Sequence, residues 1–438
     1  MYVLMIVIFL IGYALIALEH PIHINKTATA LVTAALCWVV LAFGKETILL
    51  EHNGLENGVD LFHFIKHDLE HHLFEIAEII FFLMAAMTIV ELIDAHEGFE
   101  VITEKIRTQN KIKLLWLVCI ITFFLSAVLD NLATSIVIAA LLKKLIKVEE
   151  KMWFFGGMVI IAANAGGAWS PIGDVTTIML WVKGNVSAAA VVGKVFLPSL
   201  TCLLVPLIVL SFTKKEILER PAVQQTKSHE ESITKFEQYL VFWAGIFCLL
   251  LVPIFKTYTH LPPFMGMLFS LGIMWVLTEL LHKNKSTSLK EELLVHGVIK
   301  KIDTPSVLFF LGILLAVGSL QTAGHLAELS GFLNKNLGSI FTINISVGLL
   351  SALVDNVPLV AAAMKMYPLT QYAQDNDFWQ LLAYCAGTGG SALIIGSAAG
   401  VAIMGILKIN FLWYVRKITL LALLGYFAGV GVMYLMLQ

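Results

Sequence analysis

Two short polar words sit inside long apolar runs of this chain, SAVLDNLATSIV at 126–137 and SALVDNVPLVAA at 351–362. Each carries an Asp followed by an Asn, Asp130–Asn131 and Asp355–Asn356, 225 positions apart. A charged side chain at the centre of a bilayer costs about 2.5–3.5 kcal/mol on insertion scales, so a buried carboxylate there marks an ion or proton site. Asp174 follows in the first half and closes a glycine-rich stretch. With Asn131, Thr134, Ser135, Asn164, Thr176 and Thr177, the two carboxylates Asp130 and Asp174 form a set of oxygen ligands. Hard cations take such ligands, and a monovalent ion needs net negative charge to offset its dehydration. Paired carboxylates away from water hold protons or a metal cation, but not comfortably both. That competition suffices for exchange of one against the other.

The second half offers Ser351, Asp355, Asn356, Ser391 and Ser397. Its glycine-rich stretch, GTGGSALIIGSAAG at 387–400, aligns with NAGGAWSPIGDVTT at 164–177 at an offset of 223, which sets Ser397 opposite Asp174. The halves are therefore chemically unequal, and the ion is expected nearer the first. Asp355 is either a second titrating group or a cap on the hairpin backbone. Glycines and Pro171 in mid-span weaken a helix and free backbone carbonyls, as in the broken helices that hold ions in transporters. A single Gly-Gly pair would speak only for close helix packing. Two pairs, each about 35 residues beyond an Asp-Asn, speak for an ion site.

Further polar groups lie in FEIAEIIFFLMAAMTIVELIDAH at 74–96. Glu75 and Asp94 stand near its ends, where water reaches them. Glu78 and Glu91 lie deeper, and Glu78, Glu91, Asp94 and His96 are candidates for a proton path or pH sensing. His52, His63, His67, His71 and His72 fall in the polar segment 45–73. His63, His67 and His71 share a helical face. No metal-ligand motif is complete, so a wet amphipathic helix is expected.

The chain that must position these groups has 438 residues, 58% hydrophobic and 14% charged, with mean hydropathy +0.85. That composition belongs to an integral membrane protein of α-helices. The net charge of −2 and scattered basic residues give no nucleic-acid stripe. The five cysteines all lie in apolar segments and read as packed thiols. The run 2–18 lacks a basic start and a small-residue cleavage site, and reads as a retained span. Further spans are expected near 27–44, 74–95, 154–182, 188–212, 237–255, 263–281, 305–323, 378–407 and 412–437.

The run 114–142 is different because basic residues flank it on both ends, which the positive-inside rule disfavours for a single crossing. A re-entrant hairpin returns to the side it left, whereas one long tilted helix with a buried Asp is the plainer alternative. With the hairpin entering from the cytoplasm, the cytoplasmic loops hold 22 of the 29 Lys and Arg. This threading puts both termini outside and inverts the halves. It gives a first repeat at 1–212 (hairpin 114–142, broken helix 154–182), a polar cytoplasmic linker at 213–236, and a second repeat at 237–438 (hairpin 339–366, broken helix 378–407).

Five words, FFLMAAMTIVELIDAHEGF, SAVLDNLATSIV, NAGGAWSPIGDVTTIMLW, SALVDNVPLVAAAM and GTGGSALIIGSAAGVAIMG, occur in an order that resembles the NhaD-type sodium/proton antiporters. These belong to the wider ion transporter superfamily of elevator-type carriers. The likeness spans most of residues 74 to 405 and leaves out the 45–73 segment and the linker. It implies two inverted repeats, each with a re-entrant hairpin and an unwound helix, and a homodimer joined through a scaffold. It further implies that Asp130, Asn131, Asn164, Asp174, Thr176, Thr177, Ser351, Asn356 and Ser391 bind the ion or its coupled proton.

The expected function is export of cytoplasmic Na+, with Li+ as an alternative, in exchange for H+. The ions are substrates, and no cofactor is expected. The bacterial-type inner membrane is the expected location. An anion carrier for arsenite or a dicarboxylate is the competing reading, but no Arg or Lys lies near the two words. A channel or membrane enzyme lacks any nucleotide loop, metal helix at membrane depth or Ser-His-Asp set.

Overall fold

A computed structural model describes residues 1–17, 19–22, 24–50, 60–103, 108, 110–212, 233–283, 285–353 and 356–437. Its main helices are α1 (Tyr2–Ala17), α2 (Lys26–Phe43), α3 (Leu61–Ala95), α4 (Lys111–Leu129), α5 (Asn131–Leu145), α6 (Glu149–Ala168), α7 (Val175–Val182), α8 (Ala188–Ser211) and α9 (Lys235–Thr259). Then follow α10 (Pro263–Leu281), α11 (Thr304–Thr322), α12 (His325–Leu337), α13 (Ile340–Leu350), α14 (Asn356–Met366), α15 (Asp377–Gly389), α16 (Ala398–Leu407), α17 (Phe411–Lys417) and α18 (Thr419–Met436). No β-strand occurs among the described residues. Eight helices there are long and apolar enough to cross a membrane, or nine if α16 and α17, bent by 116°, count as one. The protein is a polytopic all-α membrane protein.

Local residues account for the course of three of the expected segments. The helix over 114–142 is interrupted: α4 ends at Leu129 and α5 begins at Asn131, with Asp130 at φ +86° and ψ 162° between them. One continuous tilted helix is excluded. The run 154–182 is split between α6 and α7, as Gly166-Gly167, Pro171 and Gly173 lead one to expect. The histidines at 61–73 stand on no separate surface helix, because α3 runs unbroken for 35 residues from Leu61 to Ala95. Asp60 caps its start, accepting from the amides of Phe62 and His63 at 3.1 Å each. His52, most of the linker and Asp355 lie outside the described residues.

Packing gathers the helices into two groups. One comprises α2, α3, α9, α10 and α11, with α3 in contact with the last three and α2 laid along α11. In the other, α4 and α5 pack on α6, α13 packs on α15, α8 on α18, and α5 on α16. The groups meet where α3 touches α7 and α11 touches α14.

Candidate ion-binding site

Small residues let the broken helices approach the Asp-Asn segments, and the same contacts occur twice. A Cβ on Gly166 would lie 2.2 Å from the Phe123 carbonyl oxygen, and one on Gly389 would lie 2.0 Å from that of Gly348. Gly167 faces the Gly173 carbonyl as Gly390 faces that of Gly396. Ser126 donates to the Ala163 carbonyl at 2.6 Å, and Ser351 to the Ala386 carbonyl at 3.2 Å. Each pair of partners is offset by 223 or 225 positions, the offsets of the duplicated words.

Each broken helix restarts on a polar cap. Asp174 (φ −148°, ψ 141°) opens α7, with Oδ1 accepting from the Thr176 amide at 2.8 Å and from its hydroxyl at 2.5 Å. Ser397 (φ −149°, ψ 155°) opens α16, and its Oγ accepts from the Gly400 amide at 3.2 Å. The two residues therefore hold the same post in near-identical backbone. A helix N-terminus favours negative charge, which suits a carboxylate at that post.

Asp130 caps α5 in the same way, its Oδ1 accepting from the Ala133 amide at 2.7 Å. Its dihedrals fall where glycine is the usual resident, at a cost of about 1–3 kcal/mol for another residue. A strained carboxylate held by its surroundings is a common property of functional positions.

The central link is Asn164. Its Oδ1 accepts from Asn131 Nδ2 at 3.1 Å, while its Nδ2 donates to Ser391 Oγ at 3.0 Å and Ser397 Oγ at 2.9 Å. Asn131 Nδ2 also reaches Asp174 Oδ2 at 2.5 Å. Both halves of the chain thus share one buried polar network. Thr177 donates to the Ala168 carbonyl at 3.4 Å, which ties α7 back to the end of α6. Thr134 and Ser135 are fully buried, and their hydroxyl oxygens have no hydrogen-bond partner among the described residues, nor has Asn356 Nδ2. Unsatisfied buried groups cost about 1–3 kcal/mol each, which a bound ligand would remove.

Asp130, Asn131, Asp174 and Asn356 line a cavity of about 190 Å³ with Glu91 and Asp94 of α3, and Lys26 and Lys301 join its wall. The structure therefore brings two of the α3 acids to the Asp-Asn site and leaves Glu78 away from it. Glu78 pairs with Lys183 at 3.4 Å. Glu75 meets Lys365 at 2.6 Å and Lys183 at 3.7 Å, so it is an ion-paired, half-buried group and not simply a solvated one. Glu75 and Glu91 are 16 residues apart on one helix, which separates the two clusters by about 24 Å. Sequence reasoning missed Lys183 and Lys365, although a lone Lys near each broken or re-entrant segment was a signal for buried partners. It also missed Ser126 and Ser170, which donates to the Ala127 carbonyl.

A family model described as a citrate transporter matches residues 13–381. Sodium/proton antiporter 1 of Arabidopsis thaliana is 45% identical, over 98% of this chain and 71% of that protein. The Na(+)/H(+) antiporter NhaD of Vibrio cholerae is 31% identical, over 99% of this chain and 91% of its own length. The chain belongs to the NhaD-type sodium/proton antiporter family. Members of that family are transporters, not enzymes. A second NhaD, from Alkalimonas amylolytica, is 28% identical over 98% of this chain.

Proposed function

We propose that the protein exchanges cytoplasmic Na+, or Li+, for H+, with the two ions competing for Asp130 and Asp174. The observation that carries this reading is the single buried network joining Asn131, Asn164 and Asp174 beside the strained Asp130, with Asp130, Asn131 and Asp174 on one cavity. A cation entering there replaces protons on the carboxylates and draws on the Thr134 and Ser135 hydroxyls. Relatives named as sodium/proton antiporters over nearly the whole chain support the same substrates.

The duplicated glycine and serine contacts support two repeats, and the distribution of Lys and Arg supports their inversion. On that orientation both termini face outward from a bacterial-type inner membrane. Lys26 and Lys301 then belong to the cytoplasmic rim, so the cavity opens inward, and the Glu75–Lys365–Lys183 cluster closes the outer end. Alternating access then moves the group holding α4–α8 and α13–α18 against α2, α3 and α9–α11, in an elevator-type cycle of a homodimer.

The citrate description of the family model favours a second reading, an anion carrier. Five carboxylates on the cavity, Glu91, Asp94, Asp130, Asp174 and Asp303, against two lysines, oppose a trivalent anion.

Everted vesicles test the proposal. Asp130→Asn and Asp174→Asn should each lower Na+-dependent proton movement to the level of vesicles lacking the protein, while both variants remain inserted. Asn caps a helix about as well as Asp, so the second variant isolates the charge. Normal exchange in both would refute the assignment, and citrate-driven signals would favour the second reading.

A further inference from the structure

His96 follows α3 and His282 follows α10, and both are fully buried. Their Nε2 atoms stand 2.7 Å apart with the rings stacked, interplanar angle 21°. His96 Nδ1 lies 2.7 Å from the Leu92 carbonyl, which can only accept, so that nitrogen carries the proton. In the neutral ring His96 Nε2 is then an acceptor, and His282 Nε2 must be the donor. This leaves His282 Nδ1 bare when neutral, without a hydrogen-bond partner among the described residues, and 3.7 Å from Glu237 Oε1.

The charged groups facing the pair are Glu237, from the first turn of α9, and Lys285, just beyond α10. They are themselves joined, Lys285 Nζ donating to Glu237 Oε2 at 2.8 Å. The Thr234 amide donates to the same oxygen at 2.7 Å, and Gln238 donates to the Glu97 carbonyl beside His96 at 2.7 Å. Glu237 is thus already neutralised by Lys285 and offers the imidazoles little to set against burial. Burial first, then the facing His96 and Lys285, pushes His282 down to about 4, and burial likewise lowers His96.

We infer that the His96–His282 hydrogen bond is a pH-dependent clasp, closed while both imidazoles are neutral, that holds the end of α3 in the wall of the ion cavity. Asp94 and Glu91 lie two and five residues before His96 on that helix, and both line the cavity. Both groups have depressed pKa values in the closed form. Above about pH 6.5 neither state takes up the proton, and closure is unaffected. As pH falls below that value, the opened imidazoles protonate, while burial keeps the closed ones neutral, His282 until about 4. Opening is therefore favoured by up to about tenfold per pH unit for each imidazole across that window. Acid loosens the clasp and lets Glu91 and Asp94 leave the cavity, which turns transport down. Neutral and alkaline pH keep it engaged.

The inference rests on the antiport reading and its orientation, which puts the clasp on the cytoplasmic side. Its test is His282→Gln, whose amide N–H donates to His96 Nε2 without titrating. In everted vesicles the acid limb of the Na+-dependent proton signal should move down by at least about one pH unit, with the alkaline plateau retained. A second measurement needs neither transport nor a variant. In the wild-type protein, hydrogen exchange of residues 92–98, corrected for its intrinsic pH dependence, should rise as pH falls from 7.5 to 5.5. Exchange that behaves so in vesicles that move no Na+ sinks the antiport reading and spares the clasp. A wild-type acid limb in the variant, or flat exchange in the wild type, overturns the clasp.

Discussion

At the scale of single residues, the site is a set of polar groups held in strained or doubly used positions. Asp130 combines a carboxylate, a helix cap and a backbone conformation proper to glycine. Asp130→Gly should therefore melt at a higher temperature than Asp130→Ala, since it relieves the strain that alanine keeps, and both should be inactive. Equal melting temperatures would show that the backbone is unstrained. Asn164 serves four partners through one amide, counting those reached through Asn131. Asn164→Ala should cost about 1–3 kcal/mol in unfolding free energy and weaken Na+ affinity, because it leaves buried groups unpaired in both halves. Chemical denaturation in detergent measures the first effect and a Na+ titration the second.

At the scale of elements, the site depends on glycines that admit a carbonyl from the neighbouring segment. Gly166→Ala and Gly389→Ala place a Cβ 2.2 and 2.0 Å from backbone oxygen, which no side-chain adjustment can absorb. Each should cost about 1–3 kcal/mol or more, as overpacking does. Gly193→Ala in α8 meets nothing within 4 Å and should be neutral or slightly stabilising. Thermal stability of the three variants side by side checks the contrast. These elements were legible in the sequence because their signals are local. Gly-Gly, Pro171 and an Asp at 174 mark a break wherever they occur, and the break between α4 and α5 falls at the Asp130 that the charge flanks pointed to. The partners of α3 were not legible. Lys183 and Lys365 reach Glu75 from segments 108 and 290 positions away, and His282 reaches His96 from 186 away, distances over which no periodicity carries information.

For the whole molecule, the arrangement is a long helix, α3, with an acid cluster toward each end, of which one joins the ion cavity and the other is closed by lysines. On the proposed orientation Asp94 faces the cytoplasm. In Asp94→Cys, a membrane-impermeant maleimide should label the new thiol in everted vesicles and fail to do so in right-side-out ones. The five native cysteines are buried, so background should be small. Labelling only from the outside would reverse the topology.

The central claim is that Na+ and H+ compete for the same carboxylates. Its most direct test is the apparent KM for Na+ in everted vesicles, measured at fixed driving force from pH 9 down to about pH 6.5, above the range in which the clasp opens. Competition predicts a KM that climbs toward tenfold per pH unit on the acid side while the maximal rate, reached at saturating Na+, stays constant. A KM independent of pH, with only the maximal rate falling, would contradict a shared site.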